Sequence, residues 1–171
     1  ILVSLSTAAE VLDAKSETEK LPAMSIAKLA KAQSMLTSHA LPVNLQEFTA
    51  RLLSKTASPI APLVSVSGEG EKKSHHVEGM AVFKRDKLAG TLKSTETRGL
   101  LWVLGEAKGG VIDVDFPDGK ATLEVTRAEG KIIPKFKDGK PYIQISIKAD
   151  GNLINQTVSE NLATLSGSEE E

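Results

Sequence analysis

The chain has 171 residues, 40% apolar, 25% charged and 4% aromatic, with one Trp, one Tyr and no Cys. This composition suits a folded domain, or two small ones, and its core must be mostly aliphatic. It excludes disulfide scaffolds and thiolate chemistry. A net charge of −1, from 21 basic and 22 acidic residues, excludes nucleic-acid binding driven by bulk charge. The balance hides a polarity, because residues 120–148 carry seven bases against three acids and residues 149–171 carry five acids and no base. No apolar run reaches the ~20 residues that span a membrane. The chain opens at Ile1 without a signal-peptide pattern, and is expected to be an internal piece of a longer protein.

Taken in chain order, the first third reads as helical. Ile1–Leu5 is a short strand candidate. Thr7 is placed to cap a helix running to Asp13, and Ser25 to cap a second one carrying Ile26, Leu29, Ala30 and Leu36. Asn44 and Glu47 have capping-box spacing, in which each side chain satisfies the other's backbone N–H. Pro59 and Pro62 end helical structure, and Leu63–Val66 reads as a strand. The polar segment Gly68–Ser74 is the best linker candidate, dividing a helix-rich segment (1–74) from a sheet-plus-helix segment (75–171).

After this connector, Val77–Phe83 and Leu88–Leu92 flank Lys84–Lys87 as a hairpin. Ser94 is placed to cap a helix with Thr97, Leu100, Leu101 and Leu104 on one face, stopped by Gly105. From Val111 the pattern alternates. Asp118-Gly119 and Asp138-Gly139 supply strong hairpin turns, with weaker turn signals at Glu129-Gly130 and Asp150-Gly151. The fold class is therefore α+β: a helix-rich N-terminal part, then an antiparallel β-meander packed against helices.

Motifs for chemistry are sparse. His75 and His76, adjacent in a connector, read as solvent-exposed and lack partners at metal-ligand spacing. Asp113, Asp115 and Asp118 begin like a calcium loop, but Pro117 breaks it, and they fit better as the wet side of a strand and its turn. The glycines and lysines of residues 68–73 lack Walker spacing. No catalytic, cofactor-binding or metal-binding residue is assigned. The basic stretch reads either as contact with an acidic partner or lipid headgroups, or as a solvated sheet face. Arg98, Lys131, Lys135 and Lys137 are the candidate partner-binding residues.

Residues 78–108 carry a distinctive run: Gly79-Met80-Ala81-Val82-Phe83-Lys84, Asp86-Lys87-Leu88, Gly90 with Leu92, and Glu96-Thr97-Arg98-Gly99-Leu100-Leu101-Trp102. Lys131–Pro134, Gly139-Lys140-Pro141 and Gly151-Asn152 extend it. This pattern resembles the Ger(x)C family, the C subunits of bacterial spore germinant receptors. The match spans nearly the whole chain and is sharpest over about thirty residues, which carry packing and turn motifs only. The resemblance implies a non-enzymatic lipoprotein subunit at the outer face of the spore inner membrane, working with A and B subunits. It implies a lipid anchor outside this chain, a three-domain α+β ectodomain, and a position from the middle domain into the third. Gly90 is expected where a side chain is excluded, and Thr91 stands where members often carry a bulky aromatic. A small-ligand- or cell-wall-fragment-binding module is the alternative, and an enzyme of unrecognised type is a third reading.

Overall fold

The computed structural model describes residues 1–14, 19, 21–68, 70, 73–117 and 119–157. Asp118 and the acidic tail from Val158 lie outside the described residues. The elements are β1 (Val3–Ser4), α1 (Ala8–Asp13), α2 (Pro22–Leu36), α3 (Leu45–Leu53), β2 (Ile60–Ser67), β3 (Ser74–Lys84) and β4 (Lys87–Leu92), followed by α4 (Ser94–Leu104), β5 (Val111–Phe116), β6 (Gly119–Lys137) and β7 (Lys140–Gln156). They form two sheets, ordered β1-β2-β3-β4 and β5-β6-β7. Among the described residues only the β1–β2 pair is parallel. The α+β class read from the sequence is the class observed.

Local chemistry explains most element ends. Thr7 accepts from the Glu10 amide and Glu10 returns a bond to the Thr7 amide at 2.9 Å, closing the box that starts α1. Asn44 and Glu47 do the same for α3 at 2.8 and 3.1 Å. Two expected caps are corrected. Helix α2 starts at Pro22, three residues before Ser25, because proline's fixed φ and missing N–H suit the first helical position. Ser25 is instead buried within that helix. Helix α4 is entered from Lys93, whose amide donates to the Glu96 carboxylate at 2.8 Å, while the Ser94 hydroxyl bonds Glu78 on β3.

The β3–β4 hairpin closes at Arg85-Asp86, with Lys84 opposite Lys87. Strands β2 and β3, on either side of residues 68–73, are antiparallel neighbours in one sheet. His75 is corrected from exposed to 6% exposed: its Nε2 lies 2.7 Å from the Val11 carbonyl, so it fastens β3 to α1. Gly90 has open space around its missing Cβ, against expectation. The crowded glycine is Gly79, at φ +87°, where a Cβ would come within 2.5 Å of the Leu92 carbonyl.

The first cluster of buried side chains joins Val11, Ile26 and Ala30 of α1 and α2 to Val64 and Val77 of the first sheet. A second centres on Ile60 and Met80, with Phe48, Leu100 and Leu104 against it. Phe48 meets Phe83 edge-on, ring centroids 5.5 Å apart. The third sets Leu101 and Trp102 of α4 against Ala107 and Ala128. Helix α4 therefore belongs to both sheets: Leu100 and Leu104 serve the first, and Leu101 and Trp102 the second.

The meander is longer and simpler than the four turn signals implied. Glu129-Gly130 and Asp150-Gly151 lie inside β6 and β7. Each glycine has a packing reason. A Cβ on Gly130 would sit 2.3 Å from the Val103 carbonyl and 2.7 Å from that of Trp102. Gly151 faces Val125 beside a register shift between Val125 and Arg127, where the extra residue marks a bulge.

Substituting Gly130→Ala should cost about 3 kcal/mol, because backbone rather than flexible side chain occupies the space; urea unfolding of the two proteins measures it. Glu10 gives a pH prediction. The Thr7 backbone bond, then its hydroxyl, holds the Glu10 carboxyl below the ordinary value of 4.5. A lowered folded-state value means the cap contributes above the unfolded value and is lost as pH falls through the folded one. The protection of α1 amides, taken relative to their intrinsic exchange rates at each pH, should therefore fall on acidification below about 4.5, and Glu10→Gln should remove that dependence.

Candidate partner-binding surface

The β6–β7 hairpin gathers the sequence-predicted lysines. Its register pairs Gly130 with Ile147, Ile132 with Ile145, Pro134 with Ile143 and Phe136 with Pro141. Paired residues point to the same side and alternate along each strand. These pairs therefore form one apolar face, continuous with the Ala128 position that α4 covers. Beyond Gly130 the face is open: Phe136 is 77% exposed and Ile143 65%.

The opposite face is polar and its charge changes along the hairpin. Near the base, Lys120 pairs with Asp115 at 3.1 Å and Arg127 with Glu129 at 2.6 Å, and Lys148 lies across from Glu129. The Asp115 hydrogen bond, with its charge, raises the Lys120 pKa. Toward the tip, Lys131, Lys135, Lys137 and Lys140 share this face and are exposed. Among the described residues none of the four has an ion pair. The structure thus brings Lys131, Lys135 and Lys137 together at one end of one face, where their fields add.

Arg98 sits elsewhere. It projects from α4, half-buried, and its Nη2 donates to the Val111 carbonyl at 2.6 Å. A Cβ on Gly110 would lie 3.0 Å from the same atom. The guanidinium thereby fixes the entry to β5. Sequence reading missed this role because a carbonyl partner 13 residues away leaves no pattern in the chain.

The acidic cluster is ordinary sheet surface: Asp113 accepts from Thr122 at 2.8 Å and Asp115 holds Lys120. Among the described residues, no group of three or more His, Asp or Glu is placed to hold a metal ion. His76 Nε2 lies 2.6 Å from the exposed Ser67 hydroxyl. Among the described residues no carboxylate pairs with its ring, so that couple lacks the orienting third group of a nucleophilic triad. No helix of the described residues is long and apolar enough to cross a membrane.

Comparison with known proteins shows where this architecture recurs. The family described as spore germination B3/GerAC-like, C-terminal, matches residues 78–170, and the spore germination protein N-terminal domain matches residues 1–66. The chain belongs to the GerAC-like, or Ger(x)C, family of spore germination proteins. Spore germination protein B3 of Bacillus subtilis is 35% identical over 96 residues, 54% of this chain and 26% of that protein. Spore germination protein KC of the same organism is 24% identical over 149 residues, 78% of this chain and 37% of that protein. The crystal structure of the GerBC protein superimposes with a TM-score of 0.63 at 23% identity, over 95% of this chain and 45% of that one, which shows a shared fold. This Ger(x)C chain thus spans less than half the length of these relatives.

Arg98→Met should lower stability by about 1 kcal/mol, the usual scale for a partly exposed charged hydrogen bond. Lys135→Glu should stay within about 0.5 kcal/mol of the parent. Urea midpoints distinguish the two roles.

Proposed function

We propose that this Ger(x)C chain is part of a non-enzymatic germinant receptor subunit. In this reading it acts in spore germination by assembling with A and B subunits at the outer face of the spore inner membrane, held there by a lipid anchor outside this chain. Lys131, Lys135 and Lys137 contribute the contact, through the cationic end of the β6–β7 hairpin.

The observation that supports this reading is the split between the hairpin's halves. At the base, Lys120 and Arg127 are matched by Asp115 and Glu129; at the tip, among the described residues, Lys131, Lys135, Lys137 and Lys140 have no ion pair, and the face behind them exposes Phe136. Solvated lysines cost the fold little, so their clustering is free to serve complementarity to an acidic surface. Such complementarity sets encounter rate and partner choice more than raw affinity. Arg98 serves this surface from within, by fixing β5 and the sheet that carries the hairpin.

The test uses the full-length protein carrying Lys131→Glu, Lys135→Glu and Lys137→Glu together. Co-purification with the A and B subunits should fall at least tenfold and nutrient-triggered germination should slow, with the ectodomain's melting temperature unchanged. Normal assembly and normal germination would remove the hairpin from the interface.

A further inference from the structure

A groove of about 460 Å³ opens between α2, α3 and the segment after α4, away from the hairpin lysines. This volume lies in the ~300–1,000 Å³ range of small-molecule sites. Its walls are fastened from behind. Ser38, fully buried at φ 56°, donates its hydroxyl to the Gly109 carbonyl at 2.9 Å and accepts from the amides of Lys108 and Gly109 at 3.2 and 3.4 Å. A Cβ on Gly109 would lie 2.2 Å from the Met35 carbonyl, so the end of α2 and residues 108–109 touch backbone to backbone. The Asn44–Glu47 box fixes the start of α3 on the other side.

The lining divides by chemistry. Met35, Leu41 and Val43 give an apolar surface. Of the charged groups, Glu106 and Lys108 pair with each other at 3.7 Å, and Glu47 is engaged in its cap. The Glu47 carboxylate keeps its charge there, so the five charged groups sum to one net positive charge, and the cations outside the Glu106–Lys108 pair are Lys31 from α2 and Arg51 from α3. Among the described residues neither side chain has an ion pair or hydrogen bond. Ser34 also lines the groove; it is 3% exposed, and among the described residues its hydroxyl has no partner.

A half-open groove with an apolar wall, one net positive charge and an unused hydroxyl matches a singly charged anion with an apolar body. We propose that this groove binds a small organic carboxylate. Arg51 offers a planar fork suited to both carboxylate oxygens. Lys31 supplies a second charge, the Ser34 hydroxyl donates to an oxygen, and the aliphatic body lies against Met35 and Leu41. The site is independent of the assembly reading, since it shares no residue with the hairpin.

The experiment titrates the isotopically labelled chain with 4-methylpentanoate, and in parallel with its uncharged amide, following backbone amide shifts by NMR. The acid should give saturable shifts at Ser34, Met35 and Leu41, and the amide none. Arg51→Gln and Lys31→Gln should each weaken the acid's binding about tenfold, the scale of a lost charged hydrogen bond, with distant amide shifts unchanged as evidence of an intact fold. Lys87→Gln, at the exposed β3–β4 turn, should bind as the parent does. Absence of saturable shifts, an equal response to the amide, or parental binding by the Arg51→Gln, Lys31→Gln double variant would overturn the proposal.

Discussion

Two glycines decide how the molecule is joined. Gly105 ends α4 in the left-handed conformation, and Gly130 lies on β6 directly against it, so that the Trp102 and Val103 carbonyls approach the strand with no side chain between them. A Cβ on either residue would collide with the other's backbone. This contact sets the distance between α4 and the second sheet. That distance lets Leu101 and Trp102 pack on Ala128 while Leu100 and Leu104 reach the cluster around Met80. Both sheets, and the direction in which the hairpin leaves the body, depend on that approach.

The same contact shows where sequence reading stops. A glycine preceded by an acid inside an alternating run looks like a turn, and the signal for close packing is identical to the signal for chain reversal. Only a third element, distant in sequence, tells them apart. Where the determinants are local the reading holds. The Thr7 and Asn44 boxes, the Arg85-Asp86 hairpin and the Gly105 stop all rest on residues within a few positions of one another. Ser25 and Ser94 show the limit of that rule: a proline three residues earlier, or an acid two residues on, can move the helix start away from the better-known capping residue.

The surface was legible in part. The lysines stood out as a basic stretch, and strand pairing gathered Lys131, Lys135 and Lys137 with Lys140 on one face. Local pattern does not reveal which charges are already matched, because Lys120 and Arg127 belong to the same basic stretch and are paired within the fold. Nor does it reveal Arg98's carbonyl partner, the burial of His75 against α1, or the groove assembled from four separated segments. Each depends on contacts between residues far apart in the chain.

The length of β6 has a mechanical meaning. Strand β5 accompanies it only as far as Glu124, so from Arg127 outward the sheet is a two-stranded ribbon. From Gly130 to Lys137 it extends roughly 23 Å at about 3.3 Å per residue. A ribbon of two strands is at the margin of stability in water. Its hydrogen bonds therefore open by local fluctuation well before the body unfolds, with opening free energy falling toward the tip. The cationic end is in this sense a compliant probe on a rigid mount: its shape can adapt on contact, and its composition can drift without endangering the core.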